Sequence, residues 1–271
     1  MRQDFPSYEI IVVDDGSTDG TAEYLRQYSG ESKLRFVYQR NHGPAAARNA
    51  GLKIADGQYI SFTDDDCIVP ANWLTRLNER FLLSGADIIG GVVRNCSPGI
   101  FAVVSQEITN HFVRYFGKDG TSTAFLTSNN ISYRRTSILN AGGFDERFMH
   151  AGGEERALNY RIIVSGGKSI FAPEIMIDHY HEMDALGFIR QQVNYGRGAY
   201  MLYSSSGTSR PAPMHAHAYS ELFRSLLRSG AYPGTMCALL GIAAQFFVFV
   251  GFGVQMINSL NPLHRQEGGR A

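Results

Sequence analysis

The chain has 271 residues and carries 25 acidic and 25 basic side chains. A chain of this length can bury a substantial core, and it suits one large α/β domain with an appendage. Because the charges balance, no global field favours nucleic acid, and we expect no nucleic-acid partner. The three cysteines form no C-x-x-C pair, so we expect neither a disulfide framework nor a zinc site, and a reducing compartment fits.

The first sixty residues alternate apolar runs with helical patterns. The patterns predict strands at 9–13, 34–38 and 59–62, with helices at 22–28 and 45–55 between them. The first strand contains a continuous β-branched run, I-I-V-V, which is typical of a strand buried on both faces. The order β-α-β-α-β predicts right-handed crossovers and a mainly parallel sheet flanked by helices.

Acidic side chains follow two of these strands. Asp15 and Asp19 lie in the turn after the first strand, and residues 64–66 after the third are three consecutive aspartates. Ligands of open α/β sheets bind at this carboxyl edge. Three adjacent acids repel one another, and a divalent cation would give a reason for them. The alternatives are a solvated acidic loop and, for Asp15 and Asp19, simple capping of the next helix.

The middle of the chain predicts further strands and one helix. Strands are expected at 87–93, 126–133, 169–172 and 175–177, and a helix at 156–165. Residues 97–123 mix aromatic, glycine and charged positions, which fits a mobile helix or lid. Glu154 and Glu155 lie at the start of the predicted helix, where its dipole favours negative charge, so capping is one reading of them.

The last third of the chain is helical in pattern. Residues 185–203 predict a helix, 204–213 a Ser/Gly/Pro linker and 221–228 a basic amphipathic helix. No charged residue occurs between positions 229 and 263, and residues 235–257 are long and apolar enough to span a bilayer. We expect membrane attachment, with an in-plane or oligomerising helix as the alternative.

Six motifs, taken together and in order, resemble the family 2 inverting glycosyltransferases of the GT-A fold. The motifs are I-I-V-V-D-D-G-S-T-D-G-T (10–21), G-P-A-A-A-R-N-A-G-L (43–52), D-D-D (64–66), G-G-F-D-E (142–146), G-G-E-E-x-x-L-x-x-R (152–161) and A-P-E-I-M-I-D-H (172–179). Each motif is weak alone, but the family order and spacing make the combination specific. The resemblance covers residues 3–203.

The resemblance implies an α/β fold of the GT-A, Rossmann-like type with a C-terminal helical, membrane-associated segment. We expect a GT-A domain at 1–184, a helical extension and linker at 185–229, and a hydrophobic, membrane-embedded segment at 230–263. The implied reaction moves one sugar, with inversion, from a nucleotide-diphosphate sugar to a hydroxyl of a glycan or lipid-linked acceptor. The donor is most often a UDP sugar in this family, and the domain is expected on the cytoplasmic side of the membrane.

The family pattern also implies a metal site for Mg²⁺ or Mn²⁺. Asp64 and Asp66 match the outer residues of the D-x-D motif: Asp66 would hold the metal, with Asp64 as a second ligand and near the ribose. His179 matches the histidine that helps to hold the metal in many GT-A enzymes, and His181 is the fallback. A hard cation suits this task because a sugar diphosphate leaves poorly unless its charge is neutralised.

Other matched positions imply donor contacts and a base. Glu155 matches the catalytic base, with Glu154 as its neighbour, and a carboxylate can take the proton of the attacking hydroxyl. Asp15 matches the position that reads the nucleotide base. The remaining residues assigned to the nucleotide sugar are Asp14, Arg48, Asp64, Asp65, Ser128 and Asn129. For Arg48 the alternatives are a phosphate contact and an ordinary solvated helix charge.

Three departures from the family pattern qualify these expectations. The chain is expected to lack the first strand-helix unit, which ends its strand in P-x-Y-N in relatives. The usual E-D pair is E-E here, and the extra methylene moves the base by about a bond length. The Q-x-x-R-W motif of processive synthases is absent from 190–196, which favours transfer of a single sugar. The rivals are an inactive membrane-bound nucleotide-sugar binding or partner protein and, more distantly, a nucleotidyltransferase.

Overall fold

The computed structural model describes residues 3–118, 120, 122–205 and 216–260. The described strands are β1 Ile10–Asp14, β2 Leu34–Tyr38, β3 Tyr59–Phe62, β4 Cys67–Ile68, β5 Ile88–Asn95, β6 Ile131–Arg134 and β7 Ser169–His179. The described α-helices are α1 Thr21–Arg26, α2 Pro44–Ile54, α3 Trp73–Ser84, α4 Ile100–Gly117, α5 Arg135–Asn140, α6 Glu154–Val164, α7 Ala185–Ser205, α8 Ala216–Leu227 and α9 Gly234–Leu260. The expected α/β class is confirmed.

The main sheet has five strands in the order β3-β6-β5-β7-β4. Only β5 and β7 pair in parallel, whereas the pairs β3–β6, β5–β6 and β4–β7 are antiparallel. The sheet is therefore mixed, and the expectation of a mainly parallel sheet is corrected. The reason is that β6 is reached through α4 and a loop and enters between β3 and β5 from the opposite end.

The first two strands form a separate parallel pair, β1–β2. In the described part of the chain, the second edge of β1 and the second edge of β3 have no strand partner. The prediction that β1 is buried on both faces is wrong: Ile10, Ile11, Val12 and Val13 are half-buried, and only Asp14 is buried. No described strand covers the open edge, which leaves these side chains partly accessible.

The segment 97–123 contains a packed helix instead of a lid. Val104, Ile108 and Phe112 of α4 are buried in one cluster with residues of the C-terminal helices, including Leu222 and Ala244. A helix whose apolar face is covered in this way has no freedom to open without exposing that face. Residues 126–133 also differ from expectation, because a 3-10 turn, Ser128–Asn130, precedes β6. The two short strands expected at 169–177 are one strand, β7, with a register shift opposite β5.

The C-terminal helices pack together and against α4. A Cβ on Gly196 of α7 would lie 1.9 Å from the carbonyl oxygen of Val248, and a Cβ on Gly251 of α9 would lie 2.0 Å from that of Val193. These overlaps show that α7 and α9 are in close backbone contact at two places. Within the described residues, α9 is the helix long and apolar enough to cross a membrane. Most of the linker predicted at 204–213 lies outside the described residues.

Candidate active site

The triple aspartate lies in the turn between β3 and β4. β4 pairs antiparallel with the end of β7, which places Cys67 opposite His179. The backbone nitrogen of Tyr180 donates to the carbonyl oxygen of Asp66 over 2.8 Å. This strand pairing brings Asp66 beside His179, the last residue of β7, and His181, two residues further on.

Asp66, His179 and His181 form a compact cluster. Oδ2 of Asp66 lies 3.2 Å from Nε2 of His179 and 3.2 Å from Nδ1 of His181, and the two imidazole rings stack. Partial burial raises the pKa of Asp66, but the hydrogen bonds and charges of both histidines outweigh burial and hold it below its ordinary value. One ligand atom from each residue lies within 4.8 Å of the others. A carboxylate with two imidazoles fits a divalent cation such as Mn²⁺.

The other two aspartates of the motif have different surroundings. Oδ1 of Asp64 lies 3.5 Å from Nη2 of Arg48, outside the histidine cluster, and Asp65 is exposed in the turn. The assignment of Asp64 to the metal and the nucleotide sugar, and of Asp65 to the nucleotide sugar, stays a prediction. Burial, together with the charges of Asp64 and Asp66, raises the pKa of Cys67 to about 12, so this thiol is not a ready nucleophile.

The side chain of Arg48 joins three segments of the site. Nη1 donates to Oε1 of Glu154 over 2.6 Å, and Nη2 donates to Oγ of Ser128 over 3.0 Å while facing Asp64. The Arg48 side chain is 14% exposed and that of Glu154 is 1% exposed. The alternative of a solvated helix charge is therefore wrong, and the phosphate contact stays a prediction.

Glu154 and Glu155 open α6 and accept hydrogen bonds from the backbone just before it. The nitrogen of Gly152 donates to Oε2 of Glu154 over 2.8 Å, and that of Gly153 donates to Oε2 of Glu155 over 3.2 Å. Burial, and then the charge of Glu154, raises the pKa of Glu155 to about 7. A carboxyl group that exchanges its proton near neutral pH is suited to general base catalysis. Glu155 can therefore both accept a backbone hydrogen bond at the start of α6 and exchange a proton.

Asp15 organises the loop before α2. Its Oδ1 accepts hydrogen bonds from the Gln39 side chain over 2.7 Å and from the backbone nitrogen of His42 over 3.0 Å, and its Oδ2 accepts one from the Gly43 nitrogen over 2.8 Å. A carboxylate has about four acceptor sites, so one is left for a ligand. The reading that Asp15 caps α1 is wrong.

The neighbouring acids of the first turn have local roles. Asp19 accepts hydrogen bonds from both the backbone nitrogen and the hydroxyl of Thr21 at the start of α1, as the capping alternative predicts. Asp14 is buried and accepts a hydrogen bond from the backbone nitrogen of Ser17 over 2.8 Å. Asp14 therefore shapes the turn that presents Asp15.

The 3-10 turn after α4 contributes an unusual acceptor. Oδ1 of Asn129 is buried, and no described residue donates to it. An unpaired buried acceptor costs free energy, which a ligand hydroxyl or amide could recover. Its neighbour Asn130 is structural: it accepts from Nε1 of Trp73 over 3.1 Å and donates to backbone carbonyls of β5 and β7.

Two residues of the motifs have a supporting role that sequence reasoning missed. The Asn49 side chain both donates to the carbonyl oxygen of Phe144 and accepts from its backbone nitrogen, over 2.9 and 2.8 Å. Arg161 donates to the carbonyl oxygens of Ala141 and Gly143. Both residues therefore hold the G-G-F-D-E loop. Their place inside the motifs was a signal, but a motif does not say which residues are structural.

The fold and this group of residues are compatible with a glycosyltransferase, and the family comparison gives that class of protein. The sequence profile described as Glycosyl transferase family 2 matches residues 1–140. The chain therefore belongs to glycosyl transferase family 2.

Several curated relatives are similar to parts of the chain. The glycosyltransferase GlyG of Streptococcus pneumoniae is 37% identical over 93 residues, which cover 34% of this chain and 31% of the relative. The glycosyltransferase AglE of Haloferax volcanii is 29% identical over 148 residues, covering 54% and 48%. The pre-mycofactocin glycosyltransferase of Mycobacterium tuberculosis is 26% identical over 197 residues, covering 70% and 41%. The matched part is less than half the length of each relative.

Solved structures share the fold. The mannosyltransferase PcManGT from Pyrobaculum calidifontis, in complex with GDP-Man and Mn²⁺, has a TM-score of 0.64 at 17% identity, covering 94% of this chain and 80% of that one. TarS of Staphylococcus aureus in complex with UDP-GlcNAc has a TM-score of 0.55 at 16% identity, covering 86% and 67%. These matches confirm the GT-A-like fold.

The buried pair of Arg48 and Glu154 predicts a stability effect. In Arg48→Met the carboxylate of Glu154 is left buried without its partner, and we expect a loss of roughly 3–5 kcal/mol in the free energy of unfolding. In the double variant Arg48→Met/Glu154→Gln the buried carboxylate is removed as well, and Asp64, which also faces Arg48, is 39% exposed and can be solvated, so we expect more than half of the loss to be recovered. Denaturant unfolding of both variants measures this. A double variant as unstable as Arg48→Met would contradict the role assigned to the pair.

The raised pKa of Glu155 predicts a pH-dependent gain from its removal. The folded chain keeps this proton up to about pH 7, whereas the unfolded chain releases it near the ordinary value of 4.5, so stability is lost as pH rises through this window. Glu155→Gln should therefore match the wild type at pH 4.5 and exceed it at pH 8 by up to about 3 kcal/mol. Urea unfolding at both pH values tests this, with the exposed Glu23→Gln as a control that should show no gain.

Proposed function

We propose that the chain is an inverting glycosyltransferase that moves one sugar from a nucleotide-diphosphate sugar to the hydroxyl of a glycan or lipid-linked acceptor. The observation that carries the proposal is the side chain of Arg48. It contacts Asp64, Ser128 and Glu154 at once, and so it joins the aspartate turn, the 3-10 turn and the start of α6 in one place. Direct displacement requires an acid near the donor, a turn near the transferred sugar and a helix that carries the base. Asp64, Ser128 and the start of α6 are proposed for these parts.

Asp66, His179 and His181 would hold a divalent cation, with Asp64 as a further candidate. The mixed carboxylate and imidazole set suits Mn²⁺ at least as well as Mg²⁺, which prefers oxygen ligands. When bound, the cation supplies neutralisation of the charge on the leaving diphosphate. The structural neighbour PcManGT was solved with GDP-Man and Mn²⁺, which supports this type of cofactor.

Glu155 is proposed as the general base. Its carboxylate takes the proton of the acceptor hydroxyl while that oxygen attacks the anomeric carbon, and the bond from that carbon to the diphosphate breaks with its electron pair. One displacement of this kind inverts the anomeric configuration. Glu154 is bound to Arg48 and to the Gly152 nitrogen, so it positions the helix and raises the proton affinity of Glu155 through its charge.

The donor is assigned to Asp15, which binds the residue before α2, and to the 3-10 turn, which binds Arg48 of the same helix. Described residues occupy three of the roughly four acceptor sites of Asp15, which leaves one for the nucleotide base. Oδ1 of Asn129, to which no described residue donates, can accept a hydrogen bond from a sugar hydroxyl. The family most often uses UDP sugars, and the neighbour TarS was solved with UDP-GlcNAc. We therefore place a UDP sugar first in the series of donors to be tested.

Transfer from a panel of UDP and GDP sugars in the presence of Mn²⁺ tests the proposal. We expect Asp66→Ala and Glu155→Gln to lose at least about a hundredfold in kcat, since each removes a metal ligand or the base. Asp56→Asn, which changes an exposed acid outside the site, should retain the wild-type rate.

Two outcomes would contradict the proposal. If neither substitution changes the rate of transfer, these residues are not the machinery. If the wild type binds the nucleotide sugars but transfers nothing from any of them, the chain is instead a non-catalytic binding or partner protein.

We also propose that α9 attaches the protein to a membrane, with the domain on the cytoplasmic side. One face of α9 is covered by α7, α8 and α4, and the opposite face is an exposed apolar stripe. The stripe consists of Leu239, Ile242, Phe246, Phe249, Ile257 and Leu260. These positions recur at helical spacing along almost the whole helix. The reduced cysteines fit the cytoplasmic side.

The packing of α7 favours an in-plane arrangement over a span. α7 is in close backbone contact with α9, and it carries Arg190, Asn194 and Arg197. Placing α9 across a bilayer in this arrangement would bring those polar side chains toward hydrocarbon, at a cost of about 2.5–3.5 kcal/mol for a charge at the centre. A helix that lies in the interface buries the stripe without this cost.

Vesicle binding tests the stripe. Phe246→Glu/Phe249→Glu should reduce partitioning into phospholipid vesicles by at least about tenfold, because two large apolar side chains are lost from the contact. Leu82→Glu/Leu83→Glu changes two exposed leucines of α3 and should bind as the wild type does. Equal binding by all three would contradict the assignment.

A thiol reagent that does not cross the membrane separates the two arrangements. In Asn258→Cys it should label residue 258 when it is added on the side of the domain, as an in-plane helix requires. Labelling only from the other side would show a span.

A further inference from the structure

A buried amide chain under the candidate metal site leads from β5 to His179. The side chain of Asn110 donates through Nδ2 to the carbonyl oxygen of Val93 over 2.7 Å. Nε2 of Gln106 donates to Oδ1 of Asn110 over 3.2 Å, and Oε1 of Gln106 lies 3.0 Å from Nδ1 of His179. Gln106 and Asn110 are both buried and lie four residues apart on one face of α4.

The donor and acceptor of every hydrogen bond in this series follow from the first bond, in which Asn110 contacts the carbonyl oxygen of Val93. A backbone carbonyl can only accept, so the Asn110 atom that faces Val93 must be the NH₂ group and the other atom must be its oxygen. That oxygen can only accept, so Gln106 turns its own NH₂ group to Asn110 and its oxygen to His179. Nδ1 of His179 must then carry a hydrogen. In the neutral ring Nε2 is left with a lone pair.

We propose that Gln106 is a positioning residue that fixes the tautomer and the ring orientation of His179, so that Nε2 presents a lone pair to a divalent cation beside Asp66. When Nε2 also carries a hydrogen, it donates to Oδ2 of Asp66 over 3.2 Å. In the neutral ring the same nitrogen presents its lone pair to that oxygen, and a cation held by both groups would remove the repulsion between the two acceptors. The buried chain thus holds an arrangement that a metal completes. The metal part of this inference rests on the proposed function, whereas the tautomer does not.

His181 has no such partner among the described residues that contact it. Its Nδ1 contacts Asp66, and its side chain is 39% exposed, against 13% for that of His179. Its ring is therefore freer to turn than that of His179. The structure assigns His179 as the preorganised imidazole ligand and His181 as the adaptable one.

Two variants of Gln106 distinguish its role as a hydrogen-bond acceptor for His179 from its role in packing. Gln106→Leu keeps the volume but removes the oxygen, so His179 can adopt the other tautomer, and we expect Kd for Mn²⁺ to rise 10- to 100-fold. In Gln106→Glu one carboxyl oxygen still accepts from Nδ1 of His179, and the hydrogen of the neutral carboxyl can be donated by the other oxygen to Oδ1 of Asn110. Nδ1 then keeps its hydrogen, and Kd should stay within about threefold of the wild type. The matched control is Gln192→Leu, the same change at another buried glutamine, which should leave Kd unchanged.

The experiment has two readouts on the full chain. Calorimetry or the electron paramagnetic resonance signal of free Mn²⁺ gives Kd, and thermal unfolding in EDTA confirms that each variant folds. Long-range ¹H–¹⁵N correlations of histidine-labelled, metal-free protein at pH 8.5 give the tautomer, with His179→Asn used to assign the signal. We expect the Nδ1–H form in the wild type and in Gln106→Glu, and its loss in Gln106→Leu.

The outcomes distinguish this inference from the proposed function. An Nε2–H form of His179 in the wild type, or an unchanged tautomer in Gln106→Leu, overturns the positioning role. An unchanged Kd in a folded Gln106→Leu that has lost the tautomer overturns the link to metal binding. If the wild type binds no Mn²⁺ but shows the expected tautomers, the metal proposal fails and the positioning role stands.

Discussion

The candidate site depends on one buried guanidinium. Arg48 connects Asp64, Ser128 and Glu154, which are far apart in sequence and come from different elements. Its planar fork directs two hydrogen bonds to two partners at once, which a lysine ammonium cannot do with the same geometry. Glu154 is almost fully buried, so its charge is stable there only when Arg48 is paired with it. This ion pair constrains the position of α6 relative to the aspartate turn.

The acids of the site differ because their surroundings differ. Asp66 faces two imidazoles, which favour its charged form. Glu155 is buried next to another carboxylate, and both effects favour its protonated form. Both side chains carry a carboxyl group, but that of Asp66 is suited to hold a cation and that of Glu155 to exchange a proton near neutral pH. The division of roles is set by environment, as in other enzymes with two carboxylates.

α7 connects the helix that bears the apolar stripe, α9, to the loop that precedes the glutamates. α7 packs against α9 on one side, and on the other side a Cβ on Gly198 would overlap the carbonyl oxygen of Gly152. Gly152 donates its nitrogen to Glu154, so a continuous packed path runs from α9 through α7 to the start of α6. The orientation of the site relative to a membrane would therefore be set by rigid packing.

The sequence by itself determined the fold class, the family and most element positions. β2 and β3 lie where the apolar runs predict them, and the six motifs name the turns that meet at the site. These features are local, since a strand run or an acidic turn is encoded in neighbouring residues. The sequence predictions failed on the burial of β1, on the mixed sheet and on the expected lid at 97–123, because burial and strand direction depend on partners distant in sequence.

Only the tertiary structure decided which residues of the candidate site contact one another. It paired Arg48 with Glu154, gave Asn49 and Arg161 structural roles, and made His181 an equal neighbour of Asp66. It also placed Gln106, which no motif includes, under His179. The hydrogen bonds of the site join residues up to 115 positions apart, so no local pattern encodes them. The sequence predicted which types of side chain the candidate site contains. Their arrangement arises only when these segments pack together.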